Sequence, residues 1–256
     1  MFLNPVPLSF SRHGGMRLKP ARAYAHARAM TMVPVMAAEL ARVAQEMPVG
    51  FVRDGEGYAL VALLGLEPGR NLFVGPDGRW LAGYVPARIR QYPFVLGGSA
   101  AGPTVVCVDE SSGQLSKSEG RPLFEGDGSP SALVREVSRV LQEMERDRAA
   151  TSRAAGALAG LMVPWEMALE SRDDARRAGG LFRVDETALN ALSDEGFLAL
   201  RHAGALGMAY AHLLSLGRAA VLHRLAAAQA RRAESRAPAS PMPGAVDESG
   251  EFVFEF

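Results

Sequence analysis

The sequence predicts an α+β protein: a mostly antiparallel, sheet-rich N-terminal part at residues 1–128 packed against a helical part at 129–232, followed by a flexible linker and recognition tail at 233–256. Three observations predict this division. Between Val49 and Glu110 short apolar runs alternate with Asp-Gly turn signals, the pattern of hairpin-connected strands. From Leu133 to Met144 apolar residues recur at helical spacing. Beyond Arg232 proline, serine and alanine replace the large apolar residues that a core requires.

The elements follow in chain order. Residues 1–32 carry five basic side chains, Arg12, Arg17, Lys19, Arg22 and Arg28, and no acid, which reads as a solvated basic arm lying along the body. Residues 33–46 place Val35, Met36, Leu40 and Val43 on one side of a short helix with Pro34 in its first turn, and Glu39 at the edge of that stripe. VGFV, YALVALLGL, NLFV, RWLAGYV and TVVCVDE read as strands, with RDGEG and GPDGR as the tight turns. A looser hairpin is expected through SGQLSKSEGRPLF. Ser129 is expected to cap a helix that has Pro130 at its first position and Leu133, Val134, Val137, Val140, Leu141 and Met144 as its buried stripe. The small-residue segment ATSRAAGALAGLM continues that helix toward Pro164. Leu181–Val184 reads as a strand, Asp185–Leu192 as a helical turn, and Asp194–Ala230 as one or two helices interrupted near Gly204 and Gly217.

Composition sets bounds on function. The 256 residues contain 28 basic and 28 acidic side chains, so the long-range phosphate attraction of a nucleic-acid binder is not expected. The lone Cys107 cannot form an intrachain disulfide. MFLNPVPLSFSRHGG lacks the basic start and apolar run of a secretory signal. The uncharged run Ala203–Gly217 falls short of the ~20 residues of a membrane span. A cytoplasmic protein without a membrane span is the expectation, with export lacking an N-terminal signal as the alternative.

Few residue patterns point to chemistry. In YVPARIRQYPF an extended chain would put Tyr84, Arg88, Arg90 and Tyr92 on one side, two guanidiniums between two phenols, with Trp80 closing a wall around a carboxylate or phosphate. The preferred alternative is a short helix between Pro86 and Pro93, with Val85, Ile89 and Tyr92 packed inward and the arginines in water. His212 and His223 share a helical face but stand ~16 Å apart along it, too far for one zinc ion. No metal and no cofactor is expected. Cys107, inside VVCV, reads as an inert strand thiol, and Asp109 and Asp185 as turn or cap residues. In EFVFEF the rings of Phe252, Phe254 and Phe256 fall on one face of a strand, suited to strand addition on a protein partner or on the protein's own sheet; a C-terminal secretion signal is the third reading.

The succession NLFVGPDGRW, YVPARIRQYPF, CVDE and GRPLFEGDG, followed by FRVDETALNALSDEGFLALRHAGALGMAYAHLLSL, resembles the bacterial SapC-like family, distinct from the like-named peptide-transport permease subunit. The resemblance implies a surface-layer association through the family's name and supplies no reaction and no catalytic residues. The function expected is therefore that of a non-enzymatic accessory or peptide-binding protein. An enzyme with an anionic substrate oriented by Arg88 and Arg90, or an exported surface-layer component, stands as the alternative. Oligomeric state is not encoded legibly.

Overall fold

The computed structural model describes residues 2–20, 23–98, 104–166 and 180–236. Among these described residues, nineteen strands and α-helices follow one another. The first are β1 (Pro5–Pro7), α1 (Phe10–His13), β2 (Arg17–Leu18), β3 (Met32–Pro34), α2 (Ala37–Glu46), β4 (Val49–Asp54) and β5 (Gly57–Leu63). Then come α3 (Ala87–Arg90), β6 (Phe94–Gly97), β7 (Val105–Asp109), β8 (Leu115–Ser116), β9 (Arg121–Pro122) and α4 (Ala132–Ala157). The last are β10 (Met162–Pro164), β11 (Leu181–Val184), α5 (Glu186–Asn190), α6 (Asp194–His202), α7 (Ala205–Ser215) and α8 (Ala219–Arg236). The class is α+β, and every strand pair among the described residues is antiparallel.

The main sheet has the order β10-β11-β4-β5-β3, so two of its strands come from the segment read as helical. Its β4–β5 hairpin turns at Gly55, where φ of +58° suits a residue without Cβ. Met47, Phe51, Leu60, Leu64, Leu158 and Leu222 are fully buried in the core between this sheet and the helices. Two small sheets, β1-β7-β6 and β8-β2-β9, lie with the first half of α4 over a second cluster of Phe94, Val108, Leu123, Phe124, Val134 and Leu141. α4, about 39 Å long by helical rise, serves both cores, because Thr151, Ala154 and Ala155 in its last turns are buried as well.

Several sequence expectations are corrected. Pro34 lies in β3, an edge strand where its missing N–H is harmless, and the helix starts only at Ala37. NLFV and RWLAGYV form no paired strands beyond the bridge Val74–Trp80 and the bond from Leu81 N to Phe73 O, and buried Asn71 pins the first as a loop by donating to Ala27 O and accepting from Phe73 N. The arms of SGQLSKSEGRPLF do not pair with each other; β2 inserts between them. Ser131, not Ser129, caps α4 by accepting from Val134 N at 3.4 Å, while Pro130 bridges to Phe124. The helix stops at Ala157, short of Pro164, which lies in β10. α8 carries the helix four residues past Arg232, to Arg236.

The run Ala205–Arg232 is long and apolar enough, by length and composition alone, to cross a membrane, with mean hydropathy 1.3. The uncharged stretch read from sequence was shorter because it stopped before Arg218. A third of this run's most apolar window is buried in the protein, and Met208, Ala209, His212 and Ser215 of α7 are buried where it packs on β11 and β4.

α7 also repairs the main sheet. The ladder between β11 and β4 pairs Leu181 with Val52 and Phe182 with Phe51, then opens. His212 fills the gap: its Nε2 accepts from Val184 N at 3.1 Å and its Nδ1 lies 2.8 Å from Val49 O. These partners require a neutral ring with the proton on Nδ1. Burial, with a small contribution from the Arg183 charge, pushes the His212 pKa down to about 4. Ser215 Oγ accepts from Val49 N and donates to His212 O, leaving the opened ladder satisfied.

Candidate functional site

The segment from Trp80 to Pro93 is built around Glu39. The turn at Gly75–Arg79 delivers Trp80, whose ring stacks on Phe73 with centroids 5.6 Å apart and whose Nε1 donates to Tyr84 O at 2.7 Å. Tyr84 then donates its phenol proton to Glu39 Oε2 at 2.9 Å, and Ala87 N reaches the same oxygen at 2.7 Å. Burial first, and then the Glu39 charge, raise the Tyr84 pKa. Arg90 closes the group, donating to Tyr84 Oη at 3.0 Å and to Val85 O at 2.9 Å.

Residues 87–90 form α3 with Ile89 fully buried, so the extended alternative does not occur. The structure brings Trp80, Tyr84 and Arg90 together. It sends Arg88 elsewhere, over the Phe2 ring at 5.6 Å, where burial lowers its pKa against the opposing pull of Glu145. Tyr92 meets Arg88 only through that same Phe2 ring, 5.5 Å from its own; it also stacks on His26 at 4.1 Å, and its hydroxyl lies 3.4 Å from Asp109 Oδ2. The two guanidiniums and two phenols thus do not converge on one point.

The polar groups that invited chemical roles are occupied by the fold. Buried Asp109 accepts from Leu3 N, Asn4 N and Ser111 N. Asp185 caps α5 through Thr187 N and Ala188 N. Buried His13 and exposed Arg12 share Glu110. Cys107 is buried in β7, and desolvation raises its pKa. Among the described residues no group of three or more histidine, cysteine or acidic side chains is placed to hold a metal. Phe252, Phe254 and Phe256 lie outside the described residues.

A cleft of about 560 Å³ lies under the first half of α4, a size suited to a small organic ligand. Leu133, Val137, Val140 and Met144 form one wall, and Leu18 and Phe94 face them. The sequence stripe read as uniformly buried is therefore graded: Val134 and Leu141 are fully in the second core, Leu133, Val137 and Met144 pack against it while half-buried along the cleft, and Val140 is half-buried along the cleft as well. Gln91, just after α3, also lines the cleft, and neither its Nε2 nor its Oε1 has a hydrogen-bond partner although both atoms are buried. An unmet buried amide group costs roughly 1–3 kcal/mol, so this side chain is the anomaly of the region.

Lys19, Arg90 and Arg121 stand along the cleft with Glu136, which is held by Arg139 at 2.7 Å. Lys19, Pro20, Tyr92 and Gln114 also line a second hollow of about 610 Å³, which contains His26 and Glu119. The two cavities therefore adjoin. Of the residues expected from sequence, Arg90 and Tyr92 line the cleft; Gln91 was missed, and only the extra width of the α4 stripe hinted at an uncovered apolar wall.

The SapC family model matches residues 8–222 of the chain. No curated protein and no solved structure matches it.

Proposed function

The chain belongs to the SapC family, and from that premise we propose that it is a non-enzymatic accessory protein whose work is binding. The supporting observation is the α4 cleft, an apolar bed flanked by cations and by Gln91, whose amide has no partner, whereas Asp109 and His212, which could otherwise do acid-base work, are engaged in holding strands and helices together. The C-terminal peptide with Phe252, Phe254 and Phe256 is a second contact surface in this reading, offered to a protein partner. The setting proposed is cytoplasmic.

The neutral apolar dye Nile red tests the cleft directly. Saturable binding is expected, abolished by Val140→Arg, which places a charge on the cleft wall at a residue outside the second core, with the melting temperature nearly unchanged. Absence of saturable binding to the wild-type protein overturns the reading. The tail is tested by deleting Val246–Phe256: loss of co-purifying protein at constant melting temperature supports recruitment, and a large loss of stability identifies an intramolecular strand instead.

A further inference from the structure

We propose that the α4 cleft binds a single-chain amphipathic carboxylate, an anion of the fatty-acid type, with its chain along Leu133, Val137, Val140 and Met144 and its head toward Lys19 and Arg121. This inference rests on the binding reading and names its ligand class.

Charge and polarity select the ligand. The bed is aliphatic and aromatic, so the buried portion of the occupant is apolar. The cations beside it are uncommitted: among the described residues Lys19 and Arg121 have no carboxylate partner, and Arg90 is bonded only to the uncharged oxygens of Val85 and Tyr84. Glu136 shares Arg139 with Glu143, so that trio keeps one net negative charge beside the cleft, and Glu119 in the adjoining hollow opposes as well. Three cations against those two opposing charges leave a net of one positive charge, which suits one negative charge better than a dianionic phosphate.

Gln91 fixes the polar end. Its amide is unpartnered but closed off, in a residue that lines a cleft otherwise suited to hydrocarbon, so a rotation of the side chain is what would bring its Nε2–H₂ to a carboxylate oxygen, with no hydrogen bond to break. The polar hollow next to the cleft, sharing Lys19 and Gln114 with it, accommodates the hydrated side of the head group. Apolar bed, cations and adjoining hollow together offer surfaces for both parts of an amphiphile.

The test is calorimetric titration of the full-length protein with decanoate, decanol and acetate. Decanoate is expected to bind saturably at one site, decanol about tenfold more weakly for want of the charge, and acetate not at all. Lys19→Ala with Arg121→Ala should remove about tenfold of decanoate affinity and leave decanol unchanged, and the wild-type preference should shrink with added salt. Gln91→Leu should weaken decanoate alone. Equal binding of decanoate and decanol overturns the anion assignment. Silence toward decanoate while Nile red still saturates overturns this inference and leaves the binding reading standing. Competition with Nile red by the peptide EFVFEF but not by decanoate overturns it in favour of the chain's own tail, and failure of all three removes both.

Discussion

The two cores of this protein treat buried polar groups differently. In the main core a strand ladder opens between β11 and β4, and Val49 N, Val49 O and Val184 N are met there by Ser215 and His212. Beside the second core, under the first half of α4, Gln91 is buried with both amide atoms unmet, and a cleft remains where packing would close it. Evolution tolerates an unpaired amide mainly where something else pairs with it. The difference separates a region built for stability from one built to receive.

The largest effect expected concerns cooperativity between these regions. Phe51→Ala, in the main core, should cost about 3–5 kcal/mol and raise amide exchange throughout the protein. Val134→Ala, in the second core, should cost about 1–2 kcal/mol and loosen chiefly the first turns of α4 with β6 and β7. Equal, global acceleration by both would erase the distinction, because α4 would then tie the clusters into one unit.

His212 sharpens the comparison through pH. Its pKa is about 4 in the folded protein, against an ordinary 6.5 when unfolded. Between those values the unfolded chain binds the extra proton, so stability is complete above pH 6.5 and falls as pH drops toward 4, by about 3 kcal/mol. Urea unfolding of wild type and His212→Gln across this window checks it; the variant should lose this part of the slope. A variant with the full slope would assign the acid sensitivity to other groups.

Glu39 provides the next test. It is the counterpart of Gln91, a buried acid whose oxygens are met by Met36 N, Tyr84 Oη and Ala87 N. Glu39→Ala strands those donors and should cost about 2–3 kcal/mol, measured by thermal unfolding. Tyr84→Phe removes one donor with its bond and should cost less. The reverse order would mean that the phenol, not the acid, organises the segment.

What the sequence made legible was local. The α4 stripe, the Gly55 hairpin and the cap at Asp185 follow from spacing and turn chemistry within a few residues. The pairing of β2 with β8 and β9 joins residues about a hundred positions apart, and no short window contains it. The same holds for His212, whose partners Val49 and Val184 were separated from it in every local reading. Periodicity reports that a side chain is to be covered, not by what; Val137 and Val140 therefore looked like core and proved to be the wall of a cleft. Arg88 and Arg90 diverge for a related reason: a helical turn rotates residues two apart to different sides, where a strand would align them.

The smallest expected effect carries the opposite sign from the rest. In a packed core, replacing a polar side chain that has partners is destabilising, as at Glu39. At Gln91 there are no partners to lose, and leucine of similar length exchanges an unmet amide for apolar contact with Phe94 and the α4 wall. Gln91→Leu should therefore leave the empty protein as stable or raise its stability by about 0.5–1 kcal/mol, read as a small increase in melting temperature. Wild type should recover that difference when decanoate is present, because the ligand then supplies the partner that the fold withholds. A clear fall in the variant's melting temperature would mean that the amide is met by a group within the protein, and the contrast between the two cores would lose its strongest case.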